Sequence, residues 1–388
     1  MACIYSKQVP QELIDKIVNE LHEHRKSLES CSSVCRAFRS PAEAILFRQV
    51  SLNGYDNPIF RLSQTTPRVL DCVREVTIHE SVETRPNADA VAVAKAVAAF
   101  VNLNTVKITG MTWVPGSYRI PAEVMSAFAT LPIRTLVLDE VIFRYIIQFS
   151  SFMDTFSGVE DITLKHVYCH LVSKNDNPPT SSRTNDIHSL HLSVNEISSN
   201  VLRMVADGRL GSLAKLKSLT YEGHPKGKEV PPLLTLVQNP SLQYLRVTGD
   251  IPAANLSHIE TLAIYLTKEA NTQEFRISLG LWMDSLACGE VLSLKKITIR
   301  LSLGHQISAN DAKKWAELDN VILASRFPEL VSFRVILKAN AGIDAEQTKE
   351  LILSHCPTLC TLNVFTVGME GSPEPLDDGG SEDDDSDC

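Results

Sequence analysis

Hydrophobic positions along this chain follow two periods. Leu13, Ile14, Ile17, Val18 and Leu21 recur at helical spacing and line one face of a first helix. Leu28, Cys31, Val34, Cys35 and Phe38 do the same for a second. Ser40 as N-cap, Pro41 at the first helical position and Glu43 closing a capping box announce a short third helix. Three amphipathic helices in fifty residues bury a small core, so the unit is expected to lean on the rest of the chain or on a partner.

From residue 73 the period changes. The pattern apolar-x-x-apolar-x-apolar starts at Val73, Leu103, Ile133, Val159, Ile187, Leu216, Leu242, Ile259, Leu294, Leu330 and Leu359, eleven copies in all. Its fourth and sixth positions are apolar and the fifth is mostly polar or small, which predicts a strand with one buried face. Helical stretches lie between copies, at Asp89–Val101, Pro121–Leu131, Ile197–Leu210, Asp311–Arg326 and Ala345–His355. The apolar run Val91–Val101 is read as a buried helix. Strand then helix at a mean spacing of about 29 residues predicts parallel strands under a row of helices, stacked as a solenoid. Two unrelated α/β domains would leave the even spacing to chance. The step from Leu242 to Ile259 is too short for a full helix, and the next two steps are long. Residues 173–186, rich in Pro, Ser and Asn, are expected to form a loop.

The third, fifth and seventh positions of each copy point away from the buried face. In early copies they are mostly small or acidic, as in Glu75, Thr77, Thr105, Thr109, Thr135, Asp139, Asp161 and Thr163. In later ones they become basic and aromatic: Tyr244, Arg246, Tyr265, Lys296, Arg300, Arg334 and Phe365. Arg and aromatic side chains are enriched at binding hot spots, so these seven are the candidate partner-binding residues.

Net charge is −9, but nine of the 46 acids lie between Glu370 and Cys388, where there is no Lys or Arg. Without them 37 acids face 37 bases, and nothing suggests a general nucleic-acid surface. The acidic tail over 370–388 cannot form a core and is expected to be disordered. Nine scattered cysteines indicate a reducing compartment, cytoplasmic or nuclear, and Cys35 and Cys360 are expected to pack in the core. Met1–Pro10 has no apolar stretch, so no signal peptide is expected, and no apolar run reaches the roughly 18 residues a membrane span needs.

Chemistry-bearing motifs are missing. There is no dinucleotide fingerprint, phosphate loop or nucleophile elbow, and Gly223–Lys228 reads as a turn. His166 with Cys169 and His170, His188 with His191, and His355 with Cys356 and Cys360 lack the paired spacing of a zinc site. No enzyme, cofactor or metal is expected.

Two resemblances organise these readings. The order Val9-Pro10-Gln11-Glu12-Leu13-Ile14, then Cys31-Ser32-Ser33-Val34-Cys35-Arg36-Ala37-Phe38, then Leu46-Phe47 resembles the F-box of large fungal families. The resemblance implies docking to a Skp-family adaptor and recruitment into a cullin ubiquitin ligase. It implies that Val9, Pro10, Leu13, Ile14, Ile17, Leu28, Val34, Cys35 and Phe38 face the adaptor or hold the face that does. Val9 stands where Leu or Ile is usual and Phe38 where Trp is usual, each departure costing about 1 kcal/mol of docking at ~25 cal/mol per Å². The strand–helix array resembles the leucine-rich repeats that often follow an F-box, without their turn Asn or Cys. The expectation is an α/β chain with an F-box-like module over 6–50, a leucine-rich-repeat-like solenoid over 51–369 and the tail. Its expected role is substrate receptor of an SCF-type ligase for an unknown target, with no nucleic-acid or membrane partner. The alternative is a repeat scaffold whose N-terminal helices serve as a cap.

Overall fold

The computed structural model describes residues 9–53, 67–79, 90–113, 122–171, 186–193, 199–223, 229–249, 251, 253–268, 272–288, 293–304, 307–323, 327–340, 343–362 and 364–370. Most of the 173–186 loop, most of Gly223–Lys228 and the tail beyond Glu370 lie outside these residues. The chain divides into two compact units, Met1–Leu242 and Gln243–Cys388.

The first unit opens with α1 (Gln11–Glu20), α2 (Arg25–Val34) and α3 (Arg36–Leu46). Ile14, Val18, Leu28 and Ala42 are their buried centre, with Leu21, Cys31, Ala37, Phe38, Ile45 and Leu46 packed around it. The expected second helix, running through Phe38, is in fact two helices. Cys35 is extended at φ −159° and ψ 173°, so α2 stops at Val34 and α3 begins at Arg36, not at Ser40. Pro41 therefore lies inside α3 and has no N–H for the Ala37 carbonyl one turn back. Gln11 Nε2 donates to that carbonyl instead, at 3.1 Å. Arg39 Nε likewise donates to the Ser32 carbonyl near the end of α2, at 3.0 Å.

The chain then alternates strands and helices: β1 (Gln49–Asn53), α4 (Pro67–Leu70), β2 (Glu75–His79), α5 (Ala90–Ala98), β3 (Thr105–Thr109) and β4 (Thr112–Trp113). Next come α6 (Ala122–Phe128), β5 (Thr135–Asp139), β6 (Ile142–Tyr145), α7 (Ile146–Asp154), β7 (Asp161–Lys165) and β8 (Tyr168–Leu171). The unit closes with β9 (Ser189–Ser193), α8 (Ser199–Ala206), β10 (Ser218–Glu222) and α9 (Val230–Val237).

Strands β1, β2, β3, β5, β7, β9 and β10 pair in that order, every pair parallel. The register stacks one pattern position on the next: Val50, Val76, Val106, Leu136, Ile162, Leu190 and Leu219 face one another. All seven are buried, which explains the spacing: each unit covers its neighbour's apolar face. Strand β1 is a further copy of the pattern, Phe47-x-x-Val50-x-Leu52, and runs across the boundary expected at 50/51. The run Val91–Val101 is only partly buried. Ala96, Val97 and Phe100 turn inward, while Val91 and Val101 are exposed.

After β3, β5 and β7 the chain turns through Gly110, Glu140 and His166, all left-handed at φ 63°, 56° and 50°. The turns launch β4, β6 and β8, which form a separate parallel sheet. Two of these three residues carry a Cβ, so composition does not reveal the repeated turn.

The second unit holds β11 (Tyr244–Thr248), β12 (Thr261–Lys268), α10 (Thr272–Ala287), β13 (Lys296–Leu303) and α11 (Ala309–Leu323). It ends with β14 (Ser332–Ala339), α12 (Ala345–His355), α13 (Pro357–Thr361) and β15 (Phe365–Met369). Strands β11 to β15 pair in sequence order, all parallel. No helix occurs among the described residues between β11 and β12, as the short step predicts, and α10 and α11 fill the two long steps.

The last copy departs from the pattern. Leu359 is buried on α13, Leu362 is 45% exposed, and the strand starts only at Phe365. Asp319 of α11 is buried and accepts the backbone N–H groups of Leu359 at 2.8 Å and Thr358 at 3.2 Å. That cap holds α13 in place and delays the strand by three residues. An odd shift reverses which side chains face which side.

Candidate interaction surfaces

Helix α1 sorts its apolar residues onto two sides. Ile14 and Val18 are 5% and 0% exposed, whereas Val9, Leu13 and Ile17 are 56%, 52% and 50% exposed. Leu13 and Ile17 lie four residues apart on α1 and form one outward stripe, and Val9 is exposed just ahead of the helix. Val34 ends α2 with 70% exposure, and Pro10 and Cys35 are also exposed. The Gln11–Ala37 hydrogen bond sets the first turn of α1 beside the first turn of α3, next in sequence to Cys35 and Val34. Of the nine residues the resemblance implicates, Ile14, Leu28 and Phe38 thus form or abut the core. Val9, Pro10, Leu13, Ile17, Val34 and Cys35 are presented to solvent.

The second surface is the half-exposed side of the β11–β15 sheet. Arg246 on β11 lies over the Tyr265 ring of β12 at 4.3 Å from its centroid, and Arg300 on β13 lies over it at 5.1 Å. Arg300 is directly opposite Tyr265 in the ladder, and Arg246 is diagonal to it across the other edge. The ring's negative face thus gathers a guanidinium from each neighbouring strand, worth about 0.5–1 kcal/mol each at such sites. The Arg300 Nε is buried and has no acceptor among the described residues. Arg334 aligns with Thr298 one strand over, and Lys296 and Tyr244 lie near the start of their strands.

Phe365 does not join this group. It aligns with Phe333, which is fully buried, and the two rings meet tilted at 39° with centroids 5.3 Å apart. The three-residue delay of β15 turns Phe365 to the apolar side and puts Thr366 beside Arg334 instead. Lys338 is the residue the six-position pattern overlooks. Strands β12, β13 and β14 run to eight residues, and alternation carried two residues further along β14 places Lys338 on the Arg334 side. Its Nζ pairs with Glu370 at 3.1 Å.

The cysteines divide differently from expectation. Cys35 and Cys360 are exposed, Cys35 because it sits at the extended break between α2 and α3. Among the described residues Cys169 and Cys356 are the buried cysteines, and burial pushes both thiols up to about 12, which keeps them protonated at neutral pH. The Cys356 Sγ donates to the Trp315 carbonyl at 3.5 Å. His166 lies 3.6 Å from Asp139, and His191 lies 3.4 Å from Glu222. Among the described residues no three His, Cys, Asp or Glu side chains converge as a metal site would require, and no helix is long and apolar enough to cross a membrane.

No family model matches the chain, and no curated protein sequence matches it. Among solved structures, it is similar to a Bacteroides fragilis protein determined as a structural-genomics target. The two share 12% identity at a TM-score of 0.36, over 81% of this chain and 69% of that one.

Proposed function

We propose that this chain is a substrate receptor for an SCF-type cullin ubiquitin ligase. The α1–α3 module docks a Skp-family adaptor, and the β11–β15 face holds a target protein. The observation that carries this reading is the division of α1. An isolated cap would turn Leu13 and Ile17 inward with Ile14 and Val18, yet both stand exposed to water. Side chains of this kind contribute about 1.5–3 kcal/mol each when a partner buries them. The chain supplies no catalytic group in this role. It holds a target near a charged conjugating enzyme, and effective concentration does the rest.

One observation favours the alternative of a repeat scaffold with a helical cap. Helix α3 leads directly into β1, which continues the sheet in register, so the module is joined to the first strand of the array as a cap would be.

Co-purification of the full chain with a Skp adaptor separates the two readings. A Leu13→Asp, Ile17→Asp variant that stays folded and loses the adaptor supports the receptor. Absence of any adaptor complex with the unaltered chain leaves the scaffold. An Arg246→Glu, Arg300→Glu, Arg334→Glu variant is expected to lose the captured target while keeping the adaptor.

A further inference from the structure

We propose that the acidic segment 371–388 docks on the basic face of its own unit, across β14, β13 and β12, and there competes with acidic partners. The competition rests on the reading of that face as a recognition surface; the docking does not.

The face is charged in one sense. Its strand positions carry Arg246, Lys296, Arg300, Arg334 and Lys338, and no carboxylate stands at any strand position on that side from β11 to β15. The Arg300 Nε, buried without an acceptor among the described residues, leaves a donor to satisfy. Residues 371–388 contain Glu374, Asp377, Asp378, Glu382, Asp383, Asp384, Asp385 and Asp387 and no base.

The point of departure already lies on this face. The Glu370 N–H donates to the Leu337 carbonyl at 2.9 Å, and its carboxylate pairs with Lys338 at 3.1 Å. Crossing from β14 to β11 takes three strand spacings, about 15 Å. Seven extended residues, from Glu370 to Asp377, span roughly 23 Å. The acids therefore reach Arg300 and Arg334 with chain to spare. Tethering adds an effective concentration on the order of millimolar, so weak charge pairing suffices.

Zero-length carbodiimide coupling of the full chain, at low salt, tests the docking. Mixing isotope-labelled and unlabelled chains separates contacts within one chain from those between copies. The expected result is coupling of Asp377–Asp387 to Lys296 and Lys338 within single chains. It should vanish at high salt, where the Debye length falls from about 30 Å to about 3 Å. Equal coupling to the exposed Lys26 and Lys313, or coupling mainly between labelled and unlabelled chains, overturns the proposal. A poly-glutamate peptide is the second probe. A full chain with its eight tail acids replaced by Asn and Gln should bind that peptide about tenfold tighter than the unaltered chain. Equal affinity shows that the tail does not cover the face. A gain that persists after Arg300→Gln and Arg334→Gln places the peptide elsewhere and also overturns it.

Discussion

Gln11 donates its side-chain amide to the carbonyl of Ala37, the acceptor that Pro41 leaves without its helical donor. One side chain thus repairs the interior of α3 and fixes α1 against it. The hydrogen bond is local in space and spans 26 residues of sequence.

Its contribution should depend on Pro41. Gln11→Ala is expected to destabilise the chain by about 0.5–1.5 kcal/mol, the usual net value of one hydrogen bond. In a Pro41→Ala background the residue-41 N–H can serve Ala37, and the same change should cost much less. Urea denaturation of the four variants in the cycle measures the coupling. Equal costs in both backgrounds would show that Gln11 acts by another route.

Neighbouring residues on α1 should behave oppositely. Ile14, buried among Val18, Leu28 and Ala42, is expected to cost about 2–4 kcal/mol on Ile14→Ala. Leu13→Ala, on the outward stripe, should stay within roughly 0.5 kcal/mol of the unaltered chain. Thermal unfolding of the two single variants distinguishes them. A large loss at Leu13 would mean that the stripe is covered by the chain itself.

Asp319 serves a helix forty residues further on. Asp319→Ala strands the buried N–H of Leu359 and the part-buried N–H of Thr358, and should cost about 1–3 kcal/mol. It should also loosen α13 and β15, so amide exchange is expected to rise first at Leu359 and then along Phe365–Met369. Asp319→Asn keeps one acceptor oxygen and should recover part of the loss.

Asp161 offers a pH test. Burial raises its carboxyl pKa above the usual value, Glu160 raises it further, and His188 opposes them. A carboxyl whose folded pKa is raised favours folding most when protonated. Its contribution falls as pH rises from the unfolded value, about 3.9, through the raised folded value. Asp161→Asn is therefore expected to stabilise the chain at pH 7 and to make little difference below pH ~3.5. Urea midpoints at both pH values check this, and a destabilised variant at pH 7 would refute it.

Much of the architecture could be read from spacing. Each copy from Val73 to Leu330 holds a strand that begins at its third position, and burial follows the alternation because the strand period is fixed at two. Where reading stopped, a contact distant in sequence was responsible. The last strand was misplaced because Asp319 holds α13 where the pattern expected a strand. Phe365 left the candidate surface for that reason, and Lys338 joined it because β14 outruns the six-residue pattern.

The sequence by itself determined the apolar period, and with it the strand–helix units, their parallel pairing and the charge of each strand face. These follow from local stereochemistry, which repeats wherever the spacing repeats. Tertiary structure alone decided which apolar residues of α1 face water and on which side Phe365 falls. Each of those depends on one long-range hydrogen bond or packing contact, and such contacts leave no periodic trace in the chain.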